Sequence, residues 1–365
     1  MTTFNEYPTV SVCTPTFNRR PFIPYLIKCF EHQTYPKEKI EWIIIDDGTD
    51  KVEDMFLPIV NRENQEQKYT VKYFKYDTKM TLGKKRNTMH EKCSGDIIVY
   101  FDDDDYYPPE RISHAVKTLQ ANPKSLCAGS SAMYIYFKHV SKMYKFGPYG
   151  PNHSTAATFA FRKELLKETN YDNDTCLAEE KQFLKNYTIP FVQLDPMKTI
   201  LVFSHNHNSF DKKILLAEAP NQFVNESTIK VDEFVKEKDI LQFFMKDIEG
   251  LLDSYEPGKP ENKPDVLKQM NEMKERREKT IKEHNERRDE ELKLHTNFLN
   301  STNITKMNVG ENKINEMTQV MNELLMENNQ LKEKVKYLED KITKLIILQI
   351  EERKKNKNVN GEKTE

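Results

Sequence analysis

The chain has 365 residues, of which 56 are Lys or Arg and 58 are Asp or Glu, for a net charge of −2. This balance excludes the strongly basic field of a nucleic-acid binder or a membrane-surface protein. The length allows one large domain plus an extension, and no apolar run approaches the roughly 18 residues that a membrane span needs. The five cysteines, Cys13, Cys29, Cys93, Cys127 and Cys176, form no CxxC pair. Such a scattered, odd set reads as reduced thiols. The N-terminus lacks a basic stretch followed by an apolar one, so the expectation is a cytoplasmic protein.

From the N-terminus, apolar β-rich runs at 9–14, 40–46, 70–76 and 96–102 alternate with helix-forming segments at 22–33, 52–64 and 83–93. That alternation predicts βαβ units and a mostly parallel sheet covered on both faces. Ligands of such sheets sit at the carboxyl ends of the strands, which is where the polar motifs of this chain fall. Residues 131–137 and 155–161 alternate in a way that predicts antiparallel strands, and 178–186 reads as a short helix. Around 253–264 (DSYEPGKPENKP) periodicity stops, which places a domain boundary there.

The most informative segment is IIVYFDDDDYYPP at 97–109, where an apolar strand runs into four carboxylates, Asp102 to Asp105. Adjacent like charges are tolerated around a cation or in open solvent. Oxygen-only ligands suit Mg²⁺ or Mn²⁺, and such ions commonly bridge a carboxylate and a diphosphate. A solvated acidic turn is the plainer alternative. A second acidic strand end, WIIIDDGTD at 42–50, offers Asp46 and Asp47 to a ribose hydroxyl or a base N–H, or else as a cap for the next helix. FSHNHNSFD at 203–211 brings His205 and His207 to the end of another apolar run.

Together, TPTFNRR (14–20), IIIDDGTD (43–50), GKKRN (83–87) and YFDDDDYYPPERI (100–112) resemble family 2 glycosyltransferases of the GT-A fold, in the order of that family and over about residues 8–210. The resemblance implies that Thr14, Asp46, Asp47, Arg86 and Asp102 contact the nucleotide. It also implies that the metal motif maps onto Asp102 and Asp104, with Asp105 open because a run of four leaves the register free by one. His205 or His207 would add a late contact to the metal or pyrophosphate. The catalytic acidic pair looks like Glu179 and Glu180, with Glu180 favoured as the base that takes the acceptor's proton; a first-turn pair that stabilises a helix N-terminus is the alternative. The implied reaction is inverting transfer of a single sugar from a nucleotide-diphosphate sugar, with a UDP-sugar placed first. The Gln-x-x-Arg-Trp motif of processive synthases is absent: the one tryptophan, Trp42, lies in the second strand. A catalytically silent scaffold of the same fold is the rival reading.

Residues 314–349 carry a seven-residue repeat, with Ile314, Met321, Asn328, Val335, Ile342 and Gln349 at a and Met317, Leu324, Leu331, Leu338 and Leu345 at d. β-Branched residues at several a positions with leucine at d favour a parallel two-stranded coiled coil, and a single Asn at a fixes its register. The preceding KERREK and NERRDEE segments are too acidic to fork into DNA. The expected organisation is therefore a catalytic domain at 1–255, a linker and charged helix at 256–310, a dimerising coiled coil at 311–353 and a disordered tail at 354–365.

Overall fold

The computed structural model of the chain describes residues 7–60, 69–177, 180–217, 222–302, 319–324 and 326–328. Its strands are β1 (Val10–Thr16), β2 (Ile40–Asp46), β3 (Thr70–Lys75), β4 (Ile97–Tyr100), β5 (Cys127–Gly129), β6 (Met133–Phe137), β7 (Lys142–Phe146), β8 (Ala160–Arg162), β9 (Phe191–Gln193), β10 (Leu201–Ser204) and β11 (Val224–Glu226). The helices are α1 (Ile23–Glu31), α2 (Glu53–Val60), α3 (Leu82–Lys92), α4 (Arg111–Ala121), α5 (Glu180–Phe183), α6 (Ile214–Ala217), α7 (Val231–Phe234), α8 (Lys238–Gln242), α9 (Ile248–Asp253) and α10 (Pro264–Thr302).

One sheet has the order β3-β2-β1-β4-β8-β5-β9. Its first four strands are parallel; β8 runs antiparallel to both β4 and β5. This is the α/β architecture with a mostly parallel sheet that the alternating pattern predicts. The reason is burial: β2 and β4 are buried along their whole length, and β1 nearly so, because helices cover both faces. In α4, Ile112, Ala115, Val116 and Leu119 recur at helical spacing and face the sheet. Phe30 of α1 stacks on Trp42 of β2 at 4.1 Å between ring centres.

The register sets the site. Thr16 pairs with Asp46 and Cys13 with Tyr100, so the carboxyl ends of β1, β2 and β4 open on one edge. A second sheet, β10-β6-β7-β11, adjoins that edge. Tyr106 and Leu201 exchange backbone hydrogen bonds of 3.0 Å in each direction, which brings the end of β10 beside the acidic run.

Two expectations shift. The 155–161 stretch is largely a short 3₁₀ turn (Ala156–Thr158) before β8, and the helix expected over 178–186 is helical only at Glu180–Phe183 among the described residues. The linker expected from residue 256 is also not free chain. Residues 255–269 fold back on the α/β unit, which extends to Lys279. The heptads of 314–349 lie mostly outside the described residues; 319–324 and 326–328 are helical, with Met321 and Leu324 exposed.

Candidate active site

A cavity of about 310 Å³ opens at the carboxyl edge of the sheet. Asp102, Asp103, Asp104 and Asp105 line one wall, and Arg19, Lys79, Lys85, Arg86 and Lys263 bring positive charge to it. Phe17, Met80, Leu177 and Val266 add apolar surface.

The four carboxylates are not equivalent. Asp102 remains about a quarter exposed and faces Arg86 at 3.7 Å. Arg86 is buried and lies over the Tyr100 ring at 4.3 Å, which orients its guanidinium. Arg19, from the loop after β1, approaches Asp103 at 3.4 Å and Asp104 at 3.3 Å. Burial pushes the Asp103 carboxyl up to about 7, partly offset by Arg19. Burial also opposes ionisation of Asp104, but Arg19 and then His205 outweigh it and hold that carboxyl well below the usual range. For Asp105, burial and then the Asp104 charge push the carboxyl well up. Its Oδ1 is a buried oxygen without a hydrogen-bond partner.

His205 meets Asp104 at 3.3 Å. Burial pushes its imidazole down to about 3 although Asp104 pulls the other way, so it is neutral at pH 7. The His207 backbone N–H meets its Nδ1 at 3.2 Å, and its Nε2 lies between Asp104 at 3.3 Å and the side-chain amide nitrogen of Asn208 at 2.9 Å. His205 thus packs its ring edge directly against the Asp104 carboxylate. His207 packs behind, with its carbonyl accepting from Arg19 at 2.9 Å.

The acidic end of β2 divides its labour. Asp46 accepts from the Gly48 N–H at 2.8 Å, the Val52 N–H at 3.0 Å and the Tyr73 hydroxyl, so its oxygens are consumed by the turn and the start of α2. Gly48 has no room for a side chain: a Cβ there would lie 2.6 Å from Asn18 Oδ1. Asp47 instead pairs with buried Lys85 and accepts from the Met80 N–H; Lys85 also donates to the Thr16 carbonyl at 3.0 Å. Thr14 is wholly buried, its hydroxyl accepting from the Trp42 indole N–H at 2.9 Å, and it does not line the cavity.

Of the residues expected from sequence, the fold thus brings Arg86 and Asp102 to Asp105 onto one cavity, with His205 behind Asp104. Thr14, Asp46 and Asp47 are buried, and none of them lines the cavity. Glu180 opens α5 soon after the cavity-lining Leu177 but does not itself line the cavity; Glu179 lies outside the described residues. Arg19 and Lys263 were missed as site residues. The first sits within the quoted TPTFNRR motif. The second lies in a Pro- and Lys-rich stretch that local pattern assigns to a linker.

The residues present suit a divalent ion in one respect: a run of oxygen donors that includes a buried, unpartnered carboxylate oxygen is what Mg²⁺ or Mn²⁺ takes, although among the described residues no three His, Cys, Asp or Glu side chains converge on one point.

Residues 11–178 match the model of "Glycosyl transferase family 2". Among curated proteins, the poly(ribitol-phosphate) beta-N-acetylglucosaminyltransferase TarS of Staphylococcus aureus is 30% identical over 106 residues, covering 29% of this chain and 18% of that protein. A probable glycosyltransferase of Sulfolobus acidocaldarius is 28% identical over 123 residues, covering 33% of this chain and 25% of that one. The chain therefore spans only a quarter or less of the length of these two relatives. Among solved structures, TarS 1–349 with UDP-GlcNAc is similar at 21% identity and a TM-score of 0.43, covering 54% of this chain and 59% of that chain. The mannosyltransferase PcManGT of Pyrobaculum calidifontis with GDP-Man and Mn²⁺ is similar at 17% identity and a TM-score of 0.44, covering 54% and 57%. No helix among the described residues is long and apolar enough to cross a membrane.

Proposed function

We propose that the chain is a divalent-metal-dependent, inverting glycosyltransferase that moves one sugar from a nucleotide-diphosphate sugar, a UDP-sugar first, to an acceptor hydroxyl. The observation that carries this reading is a single cavity with Asp102 to Asp105 on one wall and buried cations beside it. A diphosphate with its counter-ion needs both signs of charge at close quarters. The family 2 match, and the N-acetylglucosaminyl transfer named for TarS, support the same chemistry.

In this reading Asp102 and Asp104 hold the metal, Mn²⁺ or Mg²⁺, with Asp105 as the further oxygen donor. When bound, such an ion neutralises charge that develops on the departing diphosphate. The chain's own groups do the rest. His205 and Arg19 fix the Asp104 carboxylate in its ionised form. Asp47, held by Lys85, receives the nucleoside, and Arg86 steadies Asp102. Glu180 takes the acceptor's proton as its oxygen attacks the anomeric carbon; Glu179 is the alternative base. Thr14 and Asp46 serve the framework that presents Asp47. The zipper of 314–349 pairs two chains in parallel.

The test is release of UDP from UDP-sugars by the full chain with Mn²⁺, with Mg²⁺ and with EDTA, alongside Asp104→Asn. We expect metal-dependent release that the variant lacks. If no nucleotide sugar is turned over or bound under any of these conditions, the reading is wrong.

A further inference from the structure

Residues 255–269 form a strap that contributes to the wall of the cavity. Tyr255 donates from its hydroxyl to Asp50 at 2.8 Å, and Asn18 donates to the Pro257 carbonyl at 2.9 Å. Arg19 reaches the Gly258 carbonyl at 3.4 Å. At the other end, Gln269 accepts from the Cys176 N–H at 2.8 Å and donates to the Asp174 carbonyl at 2.6 Å. The strap is thus tied to the β1 and β2 loops on one side and to the 174–176 segment on the other. Between these ties Lys263, Asp265 and Val266 line the cavity.

Lys263 differs from the other buried cations of the cavity. Arg19, Lys85 and Arg86 each face a carboxylate. The Lys263 ammonium donates to the Ser209 hydroxyl at 2.6 Å, and among the described residues no carboxylate forms an ion pair with it. It is only 6% exposed; beyond burial, the charge of Arg19 opposes its ammonium, those of Asp103 and Asp104 favour it, and that of Lys85 opposes it. Burying an ammonium with a hydroxyl as its hydrogen-bond partner and no carboxylate in contact is costly, and a cavity wall is where an incoming anion would offset that cost.

We infer that Lys263 binds the diphosphate of the nucleotide donor, and that the strap is a part of the donor site that follows the family-matched segment. The inference rests on reading the cavity as a nucleotide-diphosphate-sugar site. Lys263 then offers its ammonium to the phosphate oxygens, from the wall that also carries Ser209, while the acidic run handles the metal. A positive charge at this point favours the diphosphate and leaves the nucleoside indifferent, so its removal separates the two.

The experiment is calorimetric titration of the full chain with UDP and with uridine in Mn²⁺, for the native chain, Lys263→Gln and Lys263→Arg, with melting of the nucleotide-free proteins. Lys263→Gln is expected to weaken UDP roughly tenfold or more, the loss of one charge-assisted hydrogen bond, and to leave uridine within about twofold. Lys263→Arg should keep most of the UDP affinity, and the nucleotide-free Lys263→Gln should melt no lower than the native chain. UDP binding by Lys263→Gln within threefold of native overturns the inference, as does equal loss of UDP and uridine with a lowered melting temperature. Failure of Lys263→Gln to fold gives the lysine a structural role and also overturns it. A native chain that binds neither UDP nor uridine overturns the reading of the cavity, and this inference with it.

Discussion

Arg19 and Asp104, from the loops after β1 and β4, meet at 3.3 Å, and the same guanidinium reaches Asp103 at 3.4 Å. Both partners are almost wholly shielded from water. A guanidinium in this place does for two adjacent carboxylates what a cation would do: it makes their joint burial tolerable. Asp105, next in the run, has no such partner at Oδ1.

Arg19→Ala should therefore destabilise the fold by about 3–5 kcal/mol, the usual cost of leaving a buried ion pair half-made. Millimolar Mn²⁺ should recover part of that loss, since a divalent ion replaces the missing charge. Melting curves with and without Mn²⁺ check this. A variant that Mn²⁺ leaves unchanged would argue against a cation site at the acidic run.

Asp46 and Asp47 should respond differently to substitution. Asp46→Ala removes an acceptor from two backbone N–H groups and a tyrosine hydroxyl, and should cost about 1–3 kcal/mol of stability. Asp47→Asn keeps one oxygen, enough to accept from Lys85 or from the Met80 N–H but not from both, and should lower nucleoside affinity as well as stability. Urea unfolding set beside uridine titration separates the two; equal behaviour would refute the division.

Glu180→Gln should keep UDP-sugar affinity and lose turnover by roughly 10²–10⁴-fold, the range for a general base. Single-turnover kinetics give the answer. If Glu179→Gln shows that pattern and Glu180→Gln does not, the base lies one residue earlier.

Acid stability should depend on His90. It is buried against Tyr100, with Nε2 and the hydroxyl 2.6 Å apart, and burial, then Arg86, push its imidazole down to about 3. The unfolded chain therefore takes up this proton near pH 6.5 while the folded chain resists until about pH 3. Stability from this group is complete above pH 6.5 and falls as the pH drops through that window, by a few kcal/mol in order of magnitude. His90→Gln should flatten that part of the urea-midpoint profile. An unchanged slope between pH 6.5 and 3 would contradict the assignment.

Assembly and the limits of the catalytic unit can be read together. A chain ending after Lys279 should bind UDP as the full chain does, whereas one ending at residue 255 should bind it poorly, because it lacks Lys263 and Val266 from the cavity wall. In sedimentation the full chain should be a dimer and the 1–279 chain a monomer. Equal mass behaviour of the two would dismiss the zipper of 314–349.

The parallel core and the strand ends were legible in the sequence because their causes are local. β2 is buried on both faces, so its residues read as one apolar run from Ile40 to Ile45 broken only by Glu41, and the carboxylates that follow β2 and β4 mark where the chain leaves the sheet. Four successive aspartates announce a polar site wherever the chain goes. What local pattern does not carry is who meets whom. The two aspartates after β2 look alike in sequence, yet one caps the turn and the other pairs with Lys85, because only the turn geometry decides which carboxylate points back to the backbone. His205 reaches Asp104 through the Tyr106–Leu201 bridge between strand segments far apart in the chain. Residues 255–269 read as a linker because Pro, Gly and Lys without periodicity have no preferred partner of their own. Their place in the cavity wall comes from groups elsewhere: the side chains of Asn18, Asp50 and Ser209 and the backbone N–H of Cys176 hold them there by hydrogen bonds that no spacing along the strap could reveal.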